Sequence, residues 1–269
     1  MTKLIVEVND LKESTMDFLI YLYVFILGTL IGSFLNVVVY RLPREESLSY
    51  PPSHCPKCNT RLKFMDLFPV FSYLFLKGKC RYCDARISVR YPLVELLTGL
   101  IYVYTFWNFG ITPETILYVM IFSLLIPVFL IDYDHTIIPD RLNFGIFMVA
   151  ALYFAFQIYN GNQTFRSLLN PLYGLLIGGG FFLFVAVVTK GAMGGGDIKL
   201  MAALGFLFGS AQTLLLMFLS FIIGGALSSL LLLFKIKKRK DYIPFGPFIC
   251  ISAFIVIFWG DKILNWYLN

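Results

Sequence analysis

The stretch MGGGDIKLMAAL, residues 193–204, sets three glycines and one aspartate in front of an apolar run that continues with few interruptions to residue 234. By itself Asp197 reads as a helix cap, because a carboxylate near the first turn accepts hydrogen bonds from the free backbone N–H groups there. Together with the run behind it, the same residue is an acid at the edge of a membrane, where charge is costly and tends to be functional. The rest of the chain has to decide between the two.

Apolar residues make up 58% of the 269, and mean hydropathy is +0.77. A soluble domain carries about 45–50% apolar residues, so a single water-soluble core is excluded. A spanning helix needs about 20 mostly apolar residues. Eight segments qualify: 18–40, 91–107, 115–131, 143–160, 171–189, 198–209, 210–234 and 243–260, of which the sixth is the shortest. The expected fold is therefore an all-α polytopic membrane protein of about eight transmembrane helices. The mixed-charge start, MTKLIVEVNDLKESTMD, lacks the basic beginning and small-residue cleavage site of a secretory signal, so the first span is expected to be retained. No internal repeat at a fixed period and no low-complexity segment is seen.

Orientation follows from Lys and Arg in the short loops. Residues 41–90 hold ten of them, against two in residues 1–17 and none in 108–114. The long loop is expected to be cytoplasmic. Alternate threading then puts 132–142, 190–197 and the basic KIKKRK run (235–240) on the same side, with both termini outside. The net charge of +6 speaks for a membrane surface rather than for nucleic acid, since basic residues beside a span already answer to topology and anionic headgroups. The expected organisation is an extracytoplasmic N-terminal segment (1–17), a first transmembrane helix (18–40), a cytoplasmic zinc-binding loop (41–90) and a transmembrane core (91–269).

Four of the five cysteines lie in that loop, as CPKC (Cys55, Cys58) and CRYC (Cys80, Cys83), a C-x2-C-x21-C-x2-C pattern. Two such knuckles place four thiolates for a tetrahedral Zn²⁺. Disulfides are the other reading, and a reducing cytosol opposes it. Four thiolates leave no open position for a catalytic water, so the site reads as structural. His54 is a spare ligand at most, and Cys250, in the last apolar run, reads as a small buried hydrophobe.

The second acidic cluster is IDYDHTIIPD, residues 131–140. Asp132 follows an apolar run without a spacer and belongs at the hydrocarbon boundary. On a continuing helix Asp134 points about 200° away from it, so only one of the pair can face a given partner. Asp140, after Pro139, reads as a helix cap, and His135 as interfacial. Between Asp132 and Asp197 there is room for two spans that leave the membrane face and return to it. That hairpin brings two carboxylates together, and two adjacent carboxylates share a proton: one acts as base toward water while the other acts as acid toward a carbonyl. Glycines 194–196 suit the approach of an extended peptide backbone. Proton- or ion-coupled transporters use paired acids too, and a non-enzymatic zinc scaffold is a further rival.

GGGD at 194–197 fits the G-x-G-D signature of membrane aspartic proteases. With IDYDHTIIPD, IGSFLNVVVYRLP (31–43), RYPLVELLTG (90–99) and the paired CxxC loop, the chain from about residue 20 to the eighth span resembles the type IV prepilin peptidases. The resemblance implies an eight-span enzyme of the bacterial inner (cytoplasmic) membrane that cuts the short basic leader from prepilins and pseudopilins on the cytoplasmic side. It implies Asp132 and Asp197 as the catalytic pair. It also implies N-methylation of the new N-terminus with S-adenosylmethionine, although no glycine-rich loop after a strand marks a pocket for that donor.

Gly194, Gly196, Lys199 and Glu95 are the expected substrate-binding or supporting residues. Lys199 has three readings: pairing with an aspartate, orienting a substrate carbonyl, or snorkelling. Glu95 needs a partner at its depth. PFGPF (244–248) reads as the break where the last helix begins, with a substrate groove as the alternative. Ser33 and Asn36 share a helix face and are expected to hydrogen-bond between helices. The expected partners are prepilin substrates and the lipid bilayer, not nucleic acid. Residues 1–17, with four acids and two bases, have no assigned role beyond keeping that end outside.

Overall fold

The structure, a computed structural model, describes residues 2–191, 193–235 and 243–268. Most of the KIKKRK run lies outside the described residues. Among them the only extended pairing is two isolated bridges, His54 with Arg61 and Lys79 with Arg86, and every long element is a helix. The chain divides into two compact units, residues 1–123 and 124–269, with the boundary inside the helix Pro113–His135.

The first unit holds α1 (Thr2–Arg41), the short α2 (Phe71–Phe75), α3 (Arg90–Phe109) and the opening of α4 (Pro113–His135). The polar start of the chain is thus helical from Thr2, continuous with the first span. α1 and α3 meet through small residues. A Cβ on Gly28 would stand 2.7 Å from the Gly99 Cα, and one on Gly32 would stand 2.8 Å from the Glu95 Cα. In lipid, where hydrophobic burial gives helices no reason to associate, such close backbone approach supplies the packing. Asn36 Nδ2 adds an interhelical bond to the Tyr91 carbonyl at 3.2 Å, as the shared face predicted.

The second unit continues with α5 (Asp140–Tyr159), α6 (Leu169–Val188), α7 (Gly195–Leu233) and α8 (Gly246–Leu268). α6 and α7 pack as α1 and α3 do: a Cβ on Gly174 would lie 2.1 Å from the Gly205 carbonyl oxygen, and one on Gly178 would lie 2.6 Å from that of Met201. α6 turns Gly174, Gly178 and Phe182 inward while Leu176, Leu183 and Phe184 stand exposed. That is the inverse of a soluble helix and suits a lipid-facing surface.

Among the described residues, six helices are long and apolar enough to cross a membrane, against the eight expected. Two causes account for the difference. α3 is diluted by Arg90, Glu95, three tyrosines, a tryptophan and two threonines, and falls short of the other six. The expected spans 198–209 and 210–234 form one 39-residue element, α7, broken at Gly209 with φ 73° and ψ −178°. The break is capped from outside: Asn170 Oδ1 of α6 accepts the Ser210 N–H at 2.9 Å and the Ser210 hydroxyl at 2.7 Å. A helix that restarts leaves free N–H groups in its first turn, and Asn170 takes up one of them.

Beyond α7, Phe182, Phe221, Phe245 and Phe248 form a ring cluster with centroid separations of 5.4–5.9 Å between neighbours. It fixes the chain at PFGPF and so aims the first turn of α8.

Candidate active site

Asp132 lies near the C-terminal end of α4 and Asp197 in the first turn of α7, and each is only 4% exposed. Asp132 Oδ2 accepts the Gly246 N–H at 2.9 Å, from the N-terminus of α8, where the helix dipole favours negative charge. Asp197 Oδ2 accepts the Gly194 N–H at 3.2 Å, the backward half of a capping box. Asp197 Oδ1 is buried and has no hydrogen-bond partner among the described residues. The two readings of Asp197 are therefore not alternatives, since one oxygen caps the helix and the other is left unbonded. The two carboxylates are close enough to act on each other electrostatically, and both act on Cys250.

Ile138 links the two halves. A Cβ on Gly196 would lie 2.8 Å from the Ile138 Cβ, and one on Gly246 would lie 2.7 Å from Asp132 Oδ2 and 3.1 Å from Ile138 Cδ1. Both glycines are there because backbone must pass where a methyl group has no room. Gly195 differs: its Cβ direction is open and the residue is exposed. Asn143 of α5 donates from Nδ2 to the Gly196 carbonyl at 3.3 Å, and its buried Oδ1 has no partner among the described residues. Gly246, Ile138 and Asn143 carry no sequence signal that would have named them, except for the glycine between two Pro-Phe steps in PFGPF.

Asp134, two residues past Asp132, is exposed, as the divergence of i and i+2 positions requires. Asp140 is not the cap of α5; Pro139 occupies that position and Asp140 begins the helix. Its carboxylate pairs instead with Lys199 Nζ, at 2.7 and 2.8 Å. Lys199 is thereby placed on Asp140 rather than on either buried aspartate. Cys250 is buried with its Sγ 3.6 Å from the Leu125 carbonyl, the small-hydrophobe role expected of it.

Glu95 belongs to the first unit. Its Oε2 accepts the Val70 N–H at 2.7 Å, and the Ser33 hydroxyl also bonds to it. Also in that unit, the sulfur atoms of Cys55, Cys58, Cys80 and Cys83 all lie within 4.8 Å of one another, and none is in a disulfide. Cys55 and Cys83 are 3.8 Å apart, close to the edge of about 3.8 Å that a tetrahedron of bonds of about 2.3 Å requires. Hydrogen bonds from Thr60 lower the Cys58 thiol to about 6. An Ala85 N–H works to lower Cys83, yet burial and the three neighbouring thiols raise it to about 12. Four thiolates this close need a cation to ionise together, so the set fits a metal ion. His54 is not part of it.

The two knuckles are built alike, as CPKCNTR and CRYCDAR. Asn59 and Asp84 follow the second cysteine of each with φ 55° and 54°, a left-handed conformation that Asn and Asp tolerate. This short duplication escapes a search for a fixed repeat because it occurs only twice. Asp66 ties the second knuckle to the segment after the first, accepting from Arg81 Nε at 2.6 Å, Tyr82 at 2.9 Å and the Lys63 N–H at 3.0 Å. Partial burial works to raise its pKa, and these three bonds outweigh that and hold it below the usual carboxylate range. Between α1, the loop and the start of α3 lies a cavity of about 1040 Å³ whose lining includes Asn36, Arg41, Glu46, Tyr50, Tyr91 and Glu95.

Residues 26–109 match the Bacterial Peptidase A24 N-terminal domain, and residues 118–229 match the Type IV leader peptidase family. Three similar proteins carry the name prepilin leader peptidase/N-methyltransferase. That of Legionella pneumophila is 34% identical over 93% of this chain and 94% of its own. That of Pseudomonas aeruginosa is 36% identical over 91% and 92%, and that of Bacillus subtilis 34% over 91% and 96%. The chain belongs to the type IV leader peptidase family. No solved structure matches it. The two family matches divide this leader-peptidase chain much as its packing does, with the cysteine loop in the first part and the two buried aspartates in the second. The six apolar helices among its described residues fit a multi-pass membrane protein.

Proposed function

We propose that this protein is a membrane aspartic endopeptidase that removes the leader from type IV prepilins and pseudopilins and then N-methylates the exposed N-terminus. The observation that carries the reading is the pair of buried carboxylates, each held through one oxygen by a backbone N–H, with Asp197 Oδ1 unbonded. Two adjacent carboxylates hold one proton between them. The ionised member takes a proton from water as that water attacks the scissile carbonyl, and the protonated member gives its proton to the carbonyl oxygen. The tetrahedral intermediate then collapses, the C–N bond breaks, and the leaving amine takes up a proton. Gly195, open and exposed, leaves room for an extended substrate backbone alongside. The enzyme sits in the bacterial inner membrane with its site at the cytoplasmic face, where a basic leader meets an apolar pilin helix.

The four cysteines hold Zn²⁺ in a closed structural site that braces the loop. S-adenosylmethionine supplies an electrophilic methyl group. When bound, it would offer that group to the neutral N-terminal amine, which would give up one proton as the donor departs as a thioether. The cavity of the first unit suits such a donor: it is large enough for a ligand of that size, and Glu46, Glu95, Tyr50 and Tyr91 in its lining offer carboxylates and rings to a sulfonium cation.

Incubating the purified protein in detergent with a prepilin bearing Gly before an apolar N-terminal helix, with labelled donor, tests the whole reading. Mass spectrometry is expected to find a leader-free product that carries one labelled methyl group. Substrate that stays intact would overturn it.

A further inference from the structure

Between its two knuckles the loop carries FMDLFPVFSYLF, residues 64–75, in which Leu67 and Tyr73 line the cavity and Pro69 is buried while most of the other apolar side chains do not fold inward. Phe64, Met65, Phe71, Leu74 and Phe75 are 52–82% exposed. A contiguous apolar surface of this kind on a segment outside the spans calls for a partner. Its flanks are basic: residues 61–81 carry Arg61, Lys63, Lys77, Lys79 and Arg81 against a single acid, Asp66, and that acid is committed to Arg81, Tyr82 and the Lys63 N–H.

Depth comes from one hydrogen bond. Val70, at the centre of the segment, donates its N–H to Glu95 at 2.7 Å. Glu95 lies five residues into α3, about 7–8 Å along its axis from Arg90. The Ser33 hydroxyl bonds to the same carboxylate, and Ser33 lies eight residues inside the basic end of α1, about 12 Å along that helix. Nearby on α3, Leu93, Leu97 and Leu100 form an outward apolar stripe. The segment is therefore drawn down beside the helices to the level of their lipid-facing side chains. The chain holds a strained shape there: Val70 has φ 63° and ψ −52°, with the Phe71 N–H bonded to the Pro69 carbonyl at 2.6 Å, a γ-turn that a β-branched residue rarely adopts.

We propose that residues 64–75 are an interfacial anchor that beds the cysteine loop in the anionic leaflet on its own side of the membrane. Aromatic and aliphatic side chains enter the boundary between headgroups and acyl chains, about 5–10 Å deep, while the flanking lysines and arginines meet anionic headgroups. Hydrogen-bonded backbone in the hydrocarbon core is confined to helices and closed barrels, so the segment stops at that boundary. Charge and depth together favour lipid over a protein partner.

The test uses the full chain in nanodiscs of phosphatidylcholine and phosphatidylglycerol. With Trp107, Trp259 and Trp266 changed to Phe, a single Trp is introduced as Phe75→Trp or, separately, Phe64→Trp; prepilin cleavage reports that each variant is folded. Lipid with a nitroxide high on its acyl chain is expected to remove most of the emission, aqueous iodide to remove little, and omission of phosphatidylglycerol to weaken the lipid effect. Quenching by iodide alone would put the segment in water. Protection from both quenchers would put it under protein, such as a second copy of the chain. Either result overturns the anchor. If neither variant folds, a photoactivatable lipid with the unaltered protein decides it: label within residues 64–75 supports the anchor, and its absence overturns it.

Discussion

Gly246 is held to glycine by an oxygen rather than by conformation, since a methyl group there would stand 2.7 Å from Asp132 Oδ2. The Gly246→Ala variant is expected to fold and to cleave prepilin about 10²-fold more slowly, the order of loss that follows a shift of about 1 Å in a reacting group; a kcat near wild type would show that Asp132 needs no such support. Asp66 offers a pH test. Its folded pKa is depressed, so the stability it contributes is full above the usual carboxylate pKa and is lost as pH falls through the lower folded value. Asp66→Asn, which breaks a charge-assisted contact worth about 1.5–3 kcal/mol, should loosen the loop at neutral pH, read as faster proteolysis between the knuckles. The difference from wild type should shrink in acid. At this scale the meeting of Asp132 and Asp197 was legible because each acid stands flush against an apolar run, with room between them for a hairpin of two spans. Asn143, Ile138 and Gly246 were not, because an asparagine, an isoleucine and a glycine are ordinary in any helix terminus until the fold brings them together.

Asn170 and Gly209 show what an element can hide. The apolar run from 198 to 234 divides at the residue where the backbone leaves helical geometry, but the cap for the second arm comes from another helix, 40 residues earlier, and no local pattern announces it. Asn170→Leu removes that cap and is expected to cost about 0.5–2 kcal/mol, the range for loss of a helix cap. Thermal unfolding in detergent should show it as a lower midpoint, and an unchanged midpoint would mean the break is satisfied in some other way. The small-residue seams between α1 and α3 and between α6 and α7 were readable as helices but not as pairs, since glycines in apolar runs do not say which neighbour they admit. The paired cysteines were readable in full, spacing being the whole of the signal. For that element, chelation should release one metal ion per chain and unfold residues 53–88 to proteases while the helices of the second unit stay protected.

The whole molecule joins two units that the reading assigns different chemistry: methyl-donor and metal binding in the first, peptide hydrolysis in the second. Equilibrium dialysis with labelled S-adenosylmethionine should therefore find donor binding unchanged in Asp132→Asn and Asp197→Asn, and weakened several-fold in Tyr50→Ala, which lines the cavity. The reverse pattern would move the donor site to the second unit. Membrane class was legible at this scale from hydropathy alone, whereas the division into spans was legible only in part. The grouping of α1 with α3, and the division inside α4, were not, because they depend on which glycine faces which backbone. The central claim is that Asp132 and Asp197 together hydrolyse the leader peptide bond. The measurement that tests it most directly is cleavage of a purified prepilin by wild type, Asp132→Asn, Asp134→Asn and Asp197→Asn, with metal content and helicity confirming that each variant is folded. The account predicts that the first and third variants lose all detectable cutting while Asp134→Asn retains it. Cutting that survives Asp197→Asn would return that residue to its capping role alone and contradict the account.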